Sequence, residues 1–519
     1  MEYVRTRPFP ISSSLALPLV ALLAGAVNVF AFAPFGLWPL QIATLALAFH
    51  LVLAASNARA ATLIGWAYGT GWLVTGVHWL YISMNRYGGL PGWMAALAVL
   101  ALAAGLSLYA GIALGGARWL ADRWRFSRPV MLLLALPAAW TLAEWSRGWI
   151  LTGFPWVSSG YAHSVGPLAG YAPVVGVYGI GWVAAFIAGA LLLLPRLRWP
   201  AAIAVLLLGG GFALKNVQWT VPHGEPITVR LLQGNVPQDL KFEPRVIDAT
   251  LTLYNAMITG TPADLIATPE TALPMLSSRL PPGYLDNLAD FAERTDSHIA
   301  VGLPVVLGPG EYANSVLGLG PGAHAEPYRY DKHHLVPFGE FIPLGARWFV
   351  NMMEIPLGDF ARGRLLQHPF QVRDQWVMPN VCYEDLFGEE IAAQLRAGVR
   401  GEMPQATMLL NVSNIAWFGD SIAVPQHLQV SQMRSLETGR PMLRATNTGA
   451  TAVVGPDGKV QAQLPPFSLG ALSAEVQGYA GTTPYILLGN VPVVLLAFLL
   501  LAAACLSGRN PRPAAGKNS

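Results

Sequence analysis

Long apolar runs dominate the first 218 residues, and one more lies near the end of the chain. They fall at about 13–33, 37–56, 61–83, 91–116, 129–146, 172–194 and 200–218, with the last at about 484–506. A helix needs roughly 20 apolar residues to cross the hydrocarbon core of a bilayer, so the pattern predicts about eight transmembrane helices. Two runs are less regular: 129–146 ends in the charged Glu144 and Arg147, and Gly209 to Gly211 interrupt 200–218. Between 222 and 480 the pattern changes. Short β-rich runs at 227–232, 298–306, 376–381 and 408–412 alternate with amphipathic helical periodicity at 246–258 and 389–397. That alternation predicts a mixed α/β domain with enough residues for its own core. The chain therefore divides into a bundle of about seven helices (1–221), an α/β domain (222–480) and a last helix with a short tail (481–519).

Composition agrees with the pattern. The 519 residues are 53% hydrophobic and 12% charged, against roughly 25% charged in soluble proteins, so much of the surface must face lipid. A net charge of +3 in scattered clusters excludes the concentrated basic face of a nucleic-acid binder. The arginines instead read as topology signals. Counting alternate loops from a cytoplasmic N-terminus, internal loops hold Arg59, then Arg118, Arg123, Arg125 and Arg128, then Arg196 and Arg198. The tail adds Arg509, Arg512 and Lys517, while external connections carry little beyond Arg86 and Arg147. This positive-inside pattern predicts both termini in the cytoplasm and the α/β domain outside. Arg5 and Arg7 before an apolar run also suit a signal peptide, but the run is long and another span follows at once. Two cysteines, Cys382 and Cys505, exclude a disulfide framework.

Three motifs in the α/β domain each end an apolar run in a reactive side chain: 265–274 with Glu270, 330–343 with Lys332 and Glu340, and 381–385 with Cys382. Taken singly, a carboxylate after a strand is usually a solvated turn residue, a lysine is usually on the surface, and a lone cysteine is usually a small buried hydrophobe. Together they form a coherent device. A thiol is a weak nucleophile until deprotonated, a carboxylate can take its proton, and an ammonium can stabilise the oxyanion that follows. No HExxH or GxSxG pattern occurs, and His333-His334 lacks metal-ligand spacing. Gly69 and Gly71 lie inside an apolar run, where glycines allow close helix packing. Glu144 and Arg147 are either functional charges at membrane depth or a mutual ion pair three residues apart.

In order and spacing, these motifs resemble the Glu-Lys-Cys triad of the nitrilase superfamily. Over essentially the whole chain the sequence resembles its bacterial apolipoprotein N-acyltransferase family. The likeness extends to residues 234–238, 337–341, 417–421, Gln426-His427, 444–449, 144–148 and 152–156. The resemblance implies an αββα sandwich carried outside the inner membrane on the helical bundle. It makes Glu270 the general base, Lys332 the oxyanion-stabilising group and Cys382 the nucleophile, with Glu340, Tyr383 and Glu384 shaping the site. Phe242 (where the family usually has Trp), Trp417, Phe418, Glu144 and Arg147 would contact substrate. Ile415 replaces the family's usual Asp. The implied reaction moves an acyl chain from a phospholipid, with phosphatidylethanolamine the expected donor, through a Cys382 thioester. The acceptor is the α-amino group of an S-diacylglyceryl-cysteine at a lipoprotein N-terminus. No metal, cofactor or nucleic acid takes part, and a monomer is expected. A membrane-anchored amidase of the same superfamily would need a single anchoring helix. A transporter with a binding ectodomain would need paired charges near the midplane of several helices; such charges are scarce here.

Overall fold

The computed structural model describes residues 16–322, 327–343, 345, 347 and 359–508. Arg5, Arg7 and the basic residues of the tail lie outside these. The chain forms two compact units. One takes in the chain up to His78, Leu97–Asn216 and the chain from Asn490; the other takes in Trp79–Ala96 and Val217–Gly489.

The first unit is helical. Its main helices are α1 (Ala16–Val27), α2 (Pro39–Ala54), α3 (Ala58–Gly76), α4 (Gly92–Leu106), α5 (Leu108–Trp124), α6 (Leu136–Arg147), α7 (Ala172–Leu191) and α8 (Trp199–Leu214), followed by the C-terminal helix Val491–Gly508. The stretches Gly92–Trp124, Arg128–Arg147, Pro167–Leu191 and Val491–Gly508 are long and apolar enough to cross a membrane. The apolar helices Ala16–Ala31, Pro39–Ala54 and Trp199–Leu214 are shorter. Glycine sets the closeness of packing. A Cβ on Gly71 would stand 2.0 Å from the Leu22 carbonyl oxygen, and one on Gly25 would stand 1.9 Å from that of Tyr68. The α1–α3 contact therefore requires both glycines. The expected interruption at Gly209 to Gly211 is absent, because α8 runs through it. There a Cβ on Gly211 would come within 2.6 Å of the Pro167 carbonyl, so the glycines admit a neighbour without breaking the helix. The final apolar run does break. Gly489, with φ of 56°, separates a short turn at Pro484–Leu488 from the last helix.

The second unit holds two six-stranded sheets, in the orders β12-β1-β2-β3-β4-β5 and β11-β10-β9-β8-β7-β6. The first contains β1 (Thr220–Gln233), β2 (Leu265–Ala267), β3 (His298–Gly308), β4 (Glu311–Leu319), β5 (Tyr328–Asp331) and β12 (Gly470–Gly481). The second contains β6 (Phe370–Val372), β7 (Gln375–Val381), β8 (Met408–Ser413), β9 (Met442–Thr446), β10 (Ala452–Val454) and β11 (Val460–Gln463). Strands β1, β2 and β3 run parallel, as do β7, β8 and β9. Alternate residues decide the layers. Val229, Leu231, Leu265 and Ala300 face Val377, Val381, Leu410 and Leu443 in one core between the sheets. On the outer face of the first sheet, Leu251, Tyr254 and Ile258 of α9 (Pro244–Thr259) and Leu288 and Phe291 of α10 (Tyr284–Thr295) cover Ile266 and Ile299. On the other outer face, Ile391 and Leu395 of α11 (Gly388–Val399) and Val424 and Leu428 of α12 (Ala423–Thr438) cover Met378 and Leu409. At about 1.5–3 kcal/mol for each large apolar side chain buried, these three cores hold the layers together. The result is the αββα sandwich that the sequence resemblance implies.

Candidate active site

The polar residues of interest stand just past strand ends. Glu270 follows β2, Lys332 follows β5, Cys382 follows β7 and Asn414 follows β8. The C-terminal ends of parallel strands are where α/β sheets place their reactive groups. A Cβ on Gly302 would lie 2.2 Å from the Pro269 carbonyl oxygen, so only glycine on β3 lets the Glu270 turn settle so close.

Lys332 is 1% exposed, and its Nζ donates to Glu270 Oε1 at 3.1 Å and to Glu340 Oε1 at 2.9 Å. Asn314 on β4 donates through its single Nδ2 to the same two oxygens, each at 2.8 Å. Glu340 Oε2 accepts the Val336 N–H, and Glu270 Oε2 accepts the Asn414 N–H at 3.0 Å. Burial alone would raise the pKa of Glu270, but Lys332, Asn314 and Lys241 outweigh it and hold the carboxyl below the usual range. Lys332 behaves in mirror image. Burial disfavours its charge, yet Glu270 and Glu340 keep it an ammonium far into the alkaline range.

Cys382 begins a turn between β7 and α11 with φ of 52°, a left-handed conformation uncommon for a side chain with a Cβ. Its carbonyl accepts from Asn411 Nδ2 at 3.3 Å and from His427 Nε2 at 3.2 Å. Arg444 donates to His427 Nδ1 at 2.9 Å. An arginine can only donate, so Nδ1 is the acceptor and Nε2 carries the hydrogen that reaches the Cys382 carbonyl. Burial and the Glu270 charge push the thiol well above its ordinary pKa, against Lys332 and the Asn414 N–H, which pull it down. The proton therefore rests on sulfur, beside a carboxylate able to receive it.

Glu384 ties the two halves together. Its Oε2 accepts the Val381 N–H at 2.6 Å and the Tyr330 hydroxyl at 3.0 Å, while Oε1 accepts the N–H groups of His333 and His334 at 2.6 and 3.1 Å. Burial pushes its pKa up to about 7 against these donors. The turn after Cys382 is thus fastened to the loop after Lys332. Tyr383 packs its ring edge-on against Phe387, 5.2 Å between centroids, and tilts against His334.

The structure brings Glu270, Lys332 and Glu340 into direct contact and sets Cys382 within reach of their charges. Phe242, 44% exposed, lies on the turn after β1. Phe418 packs against Trp79 at 4.3 Å and Trp417 against Tyr87 at 5.6 Å. Ile415 is 1% exposed and belongs to the apolar core beneath α11 and α12, a place where a carboxylate would lie buried in apolar surroundings. Glu144 and Arg147 lie in the helical unit and form a buried pair at 3.9 Å. Asn314, Asn414 and Lys241 were not expected from sequence. Among the described residues, no cluster of His, Cys, Asp and Glu could hold a metal ion.

Residues 24–190 match the model for the apolipoprotein N-acyltransferase N-terminal domain, and residues 228–485 match that for carbon-nitrogen hydrolase. The chain is 52% identical over 495 residues to the apolipoprotein N-acyltransferase of Ralstonia nicotianae, covering 94% of this chain and 93% of that protein. It is 45% identical to the one from Chromobacterium violaceum, covering 95% and 94%, and 42% identical to that of Bordetella bronchiseptica, covering 95% and 97%. Among solved structures, an amidase from Nesterenkonia sp. aligns at 19% identity and a TM-score of 0.35, covering 50% of this chain and 93% of the amidase. A carbon-nitrogen hydrolase from Helicobacter pylori aligns at 17% and 0.34, covering 48% and 89%.

Proposed function

Because this chain belongs to the apolipoprotein N-acyltransferase family, we propose that Cys382 carries an acyl group from a phospholipid to the amino terminus of a lipoprotein. Glu270 takes the thiol proton as sulfur attacks the ester carbonyl of the donor, with phosphatidylethanolamine the expected lipid. The developing oxyanion is stabilised by the Lys332 ammonium. The carbon–oxygen bond to glycerol breaks, the departing oxygen takes the proton from Glu270, and lysophospholipid leaves a thioester on Cys382. The α-amino group of an S-diacylglyceryl-cysteine then attacks that carbonyl. Its proton passes through Glu270 to the leaving sulfur, and the product is an amide. Division into two steps through a covalent intermediate lowers each barrier.

The observation that carries this assignment is the Glu270–Lys332–Glu340 contact set beside a thiol at a left-handed turn. Glu340 keeps Lys332 charged after Glu270 is protonated, and Glu384 and Tyr383 set the turn that bears the sulfur. Phe242, Trp417 and Phe418 are proposed to receive the acyl chain. The membrane bundle, read from the sequence as 1–221 and 481–519 about a catalytic segment of 222–480, is proposed to hold two lipid-anchored substrates in a bacterial inner membrane. On a count of about eight spans with the arginines of the internal loops kept inside, that segment is proposed to face the periplasm with both termini in the cytoplasm, and the enzyme is read as a monomer.

Intact-mass measurement of the protein given phospholipid alone is expected to show a persistent acyl adduct on Cys382, discharged by a diacylglyceryl-cysteine peptide as amide. Cys382→Ser is expected to remain folded and unacylated. Rapid release of free fatty acid without the peptide, with no lasting adduct, would favour hydrolysis of an ester or amide instead.

A further inference from the structure

Lys241 has no part in the reaction as written above, yet it lies inside the site. It sits on the turn between β1 and α9, is 2% exposed, and directs its amine at the Glu270 carbonyl oxygen at 3.4 Å. Lysines are almost never buried to this degree without a carboxylate partner. Here the described hydrogen bond is one long contact to a main-chain oxygen, a weak return for burying an ammonium if its purpose were stability. The turn itself is firmly held. Gln238 accepts from Asn414 Nδ2 at 2.7 Å, the Val236 N–H donates to Asn447 Oδ1 at 3.0 Å, and Asp239 pairs with Arg86 at 3.6 Å. Asn414 is the residue whose N–H also binds Glu270. The amine is thus delivered to the site by a network shared with the proposed general base.

We propose that Lys241 is a positioning cation of the acyl-transfer site, acting through Glu270 and Cys382 to stabilise negative charge first on sulfur and then on the carbonyl oxygen. The inference rests on the Cys382 reading above. Its basis is a count of charge. At rest, Glu270 and Glu340 carry two negative charges against one on Lys332, and Lys241 makes the four groups neutral. Once Glu270 has taken the thiol proton, Lys332 is matched by Glu340. The new anion then has Lys241 as its remaining counter-charge. Glu270 and Cys382 face Lys241 and favour its charged form, while burial opposes that form and lowers its pKa to about 8. Lys332 bonds to both Glu270 and Glu340, His427 donates to the Cys382 carbonyl, and Asp239 on the same turn pairs with Arg86. Lys241 is therefore charged at neutral pH and loses its proton at mildly alkaline pH.

The test uses the full-length protein in detergent as wild type, Lys241→Met and Lys241→Arg. Alkylation of Cys382 by iodoacetamide would be followed at its own peptide, and acyl-adduct formation from phospholipid by intact mass, each from roughly pH 6 to 10, the range spanning ordinary thiol and lysine titration. Lys241→Met is expected to slow both reactions about tenfold, equivalent to about one unit in the thiol pKa. Lys241→Arg is expected to retain both and to move the alkaline decline of acylation upward. A purely structural lysine would reduce the yield of folded protein without shifting either pH profile. Wild-type rates and profiles in Lys241→Met would overturn the inference. If that variant does not fold, an unmoved alkaline limb in Lys241→Arg overturns it equally. Absence of any adduct in the wild type would instead sink the Cys382 reading, and the alkylation comparison would still decide the influence of Lys241 on the thiol.

Discussion

Glu270 and Cys382 belong to one cluster of interacting groups, and burial together with charge drives their proton affinities apart. The carboxyl is held low by Lys332 and the thiol is pushed high by burial and by Glu270 itself. The sign follows directly: at neutral pH the proton is on sulfur and Glu270 is the empty base. Alkylation of Cys382 in the absence of donor lipid is therefore expected to climb through the alkaline range and to be slower at pH 8 than that of a free thiol, whose pKa is about 8.5. A plateau near neutrality would mean a preformed thiolate. Glu270→Gln removes the acceptor for that proton and is expected to slow acyl-adduct formation by about a hundredfold or more, the scale of a lost general base, measured by mass against time. At this scale, Glu270, Lys332 and Cys382 were legible because each ends an apolar run within its own motif. Asn314, Asn414 and Lys241 were not. An amide or a lysine outside such a motif carries no spacing signal, and each reaches the site only through contacts between segments far apart in sequence.

Among elements, the buried pair on α6 shows how a motif can be seen and its role left open. Arg147 donates to the carbonyls of Phe154 and Trp156 at 2.6 and 2.9 Å and to Ser158 Oγ at 3.1 Å, and its guanidinium lies 5.4 Å from the Trp72 ring. Glu144 accepts the Ser159 N–H at 2.7 Å. The two charges fasten the segment that follows α6, which accounts for their burial without a substrate. Arg147→Met strips Glu144 of its partner, and breaking a buried pair this way costs about 3–5 kcal/mol. The expected result is a markedly lower melting temperature in detergent, with Arg147→Lys intermediate because lysine cannot make the forked contact. Unchanged melting would return the pair to the list of substrate-binding candidates. Gly71→Val should be similarly damaging, since its side chain would meet the Leu22 carbonyl. Gly69 and Gly71 of α3 were read correctly as packing positions, whereas the glycines of α8 looked like a break. Composition alone does not distinguish a glycine that ends a helix from one that admits a neighbour.

For the whole molecule, hydropathy separated the helical from the α/β part, but it counted 79–96 with the helical part. That stretch groups with the α/β unit through contacts such as Trp79 on Phe418 and Tyr87 on Trp417, and pairings of this kind leave no trace in an apolar count. The proposed topology has its own check. Single cysteines near Ala58 and Phe126 should label from the cytoplasmic side and one near Glu311 from the opposite side; cytoplasmic labelling at Glu311 would refute the orientation. The pairing of β1 with β12 also has a dimension in time. One edge of β1 receives β2 soon after it is made, while the other stays open until residues 470–481 leave the ribosome. At ~5–20 residues per second that delay is on the order of tens of seconds, during which an unpaired strand edge invites wrong partners. A chain stopped just short of Gly470 would carry Glu270, Lys332 and Cys382 intact and still be unable to close its first sheet, so its expected fate is degradation or aggregation and not weak catalysis.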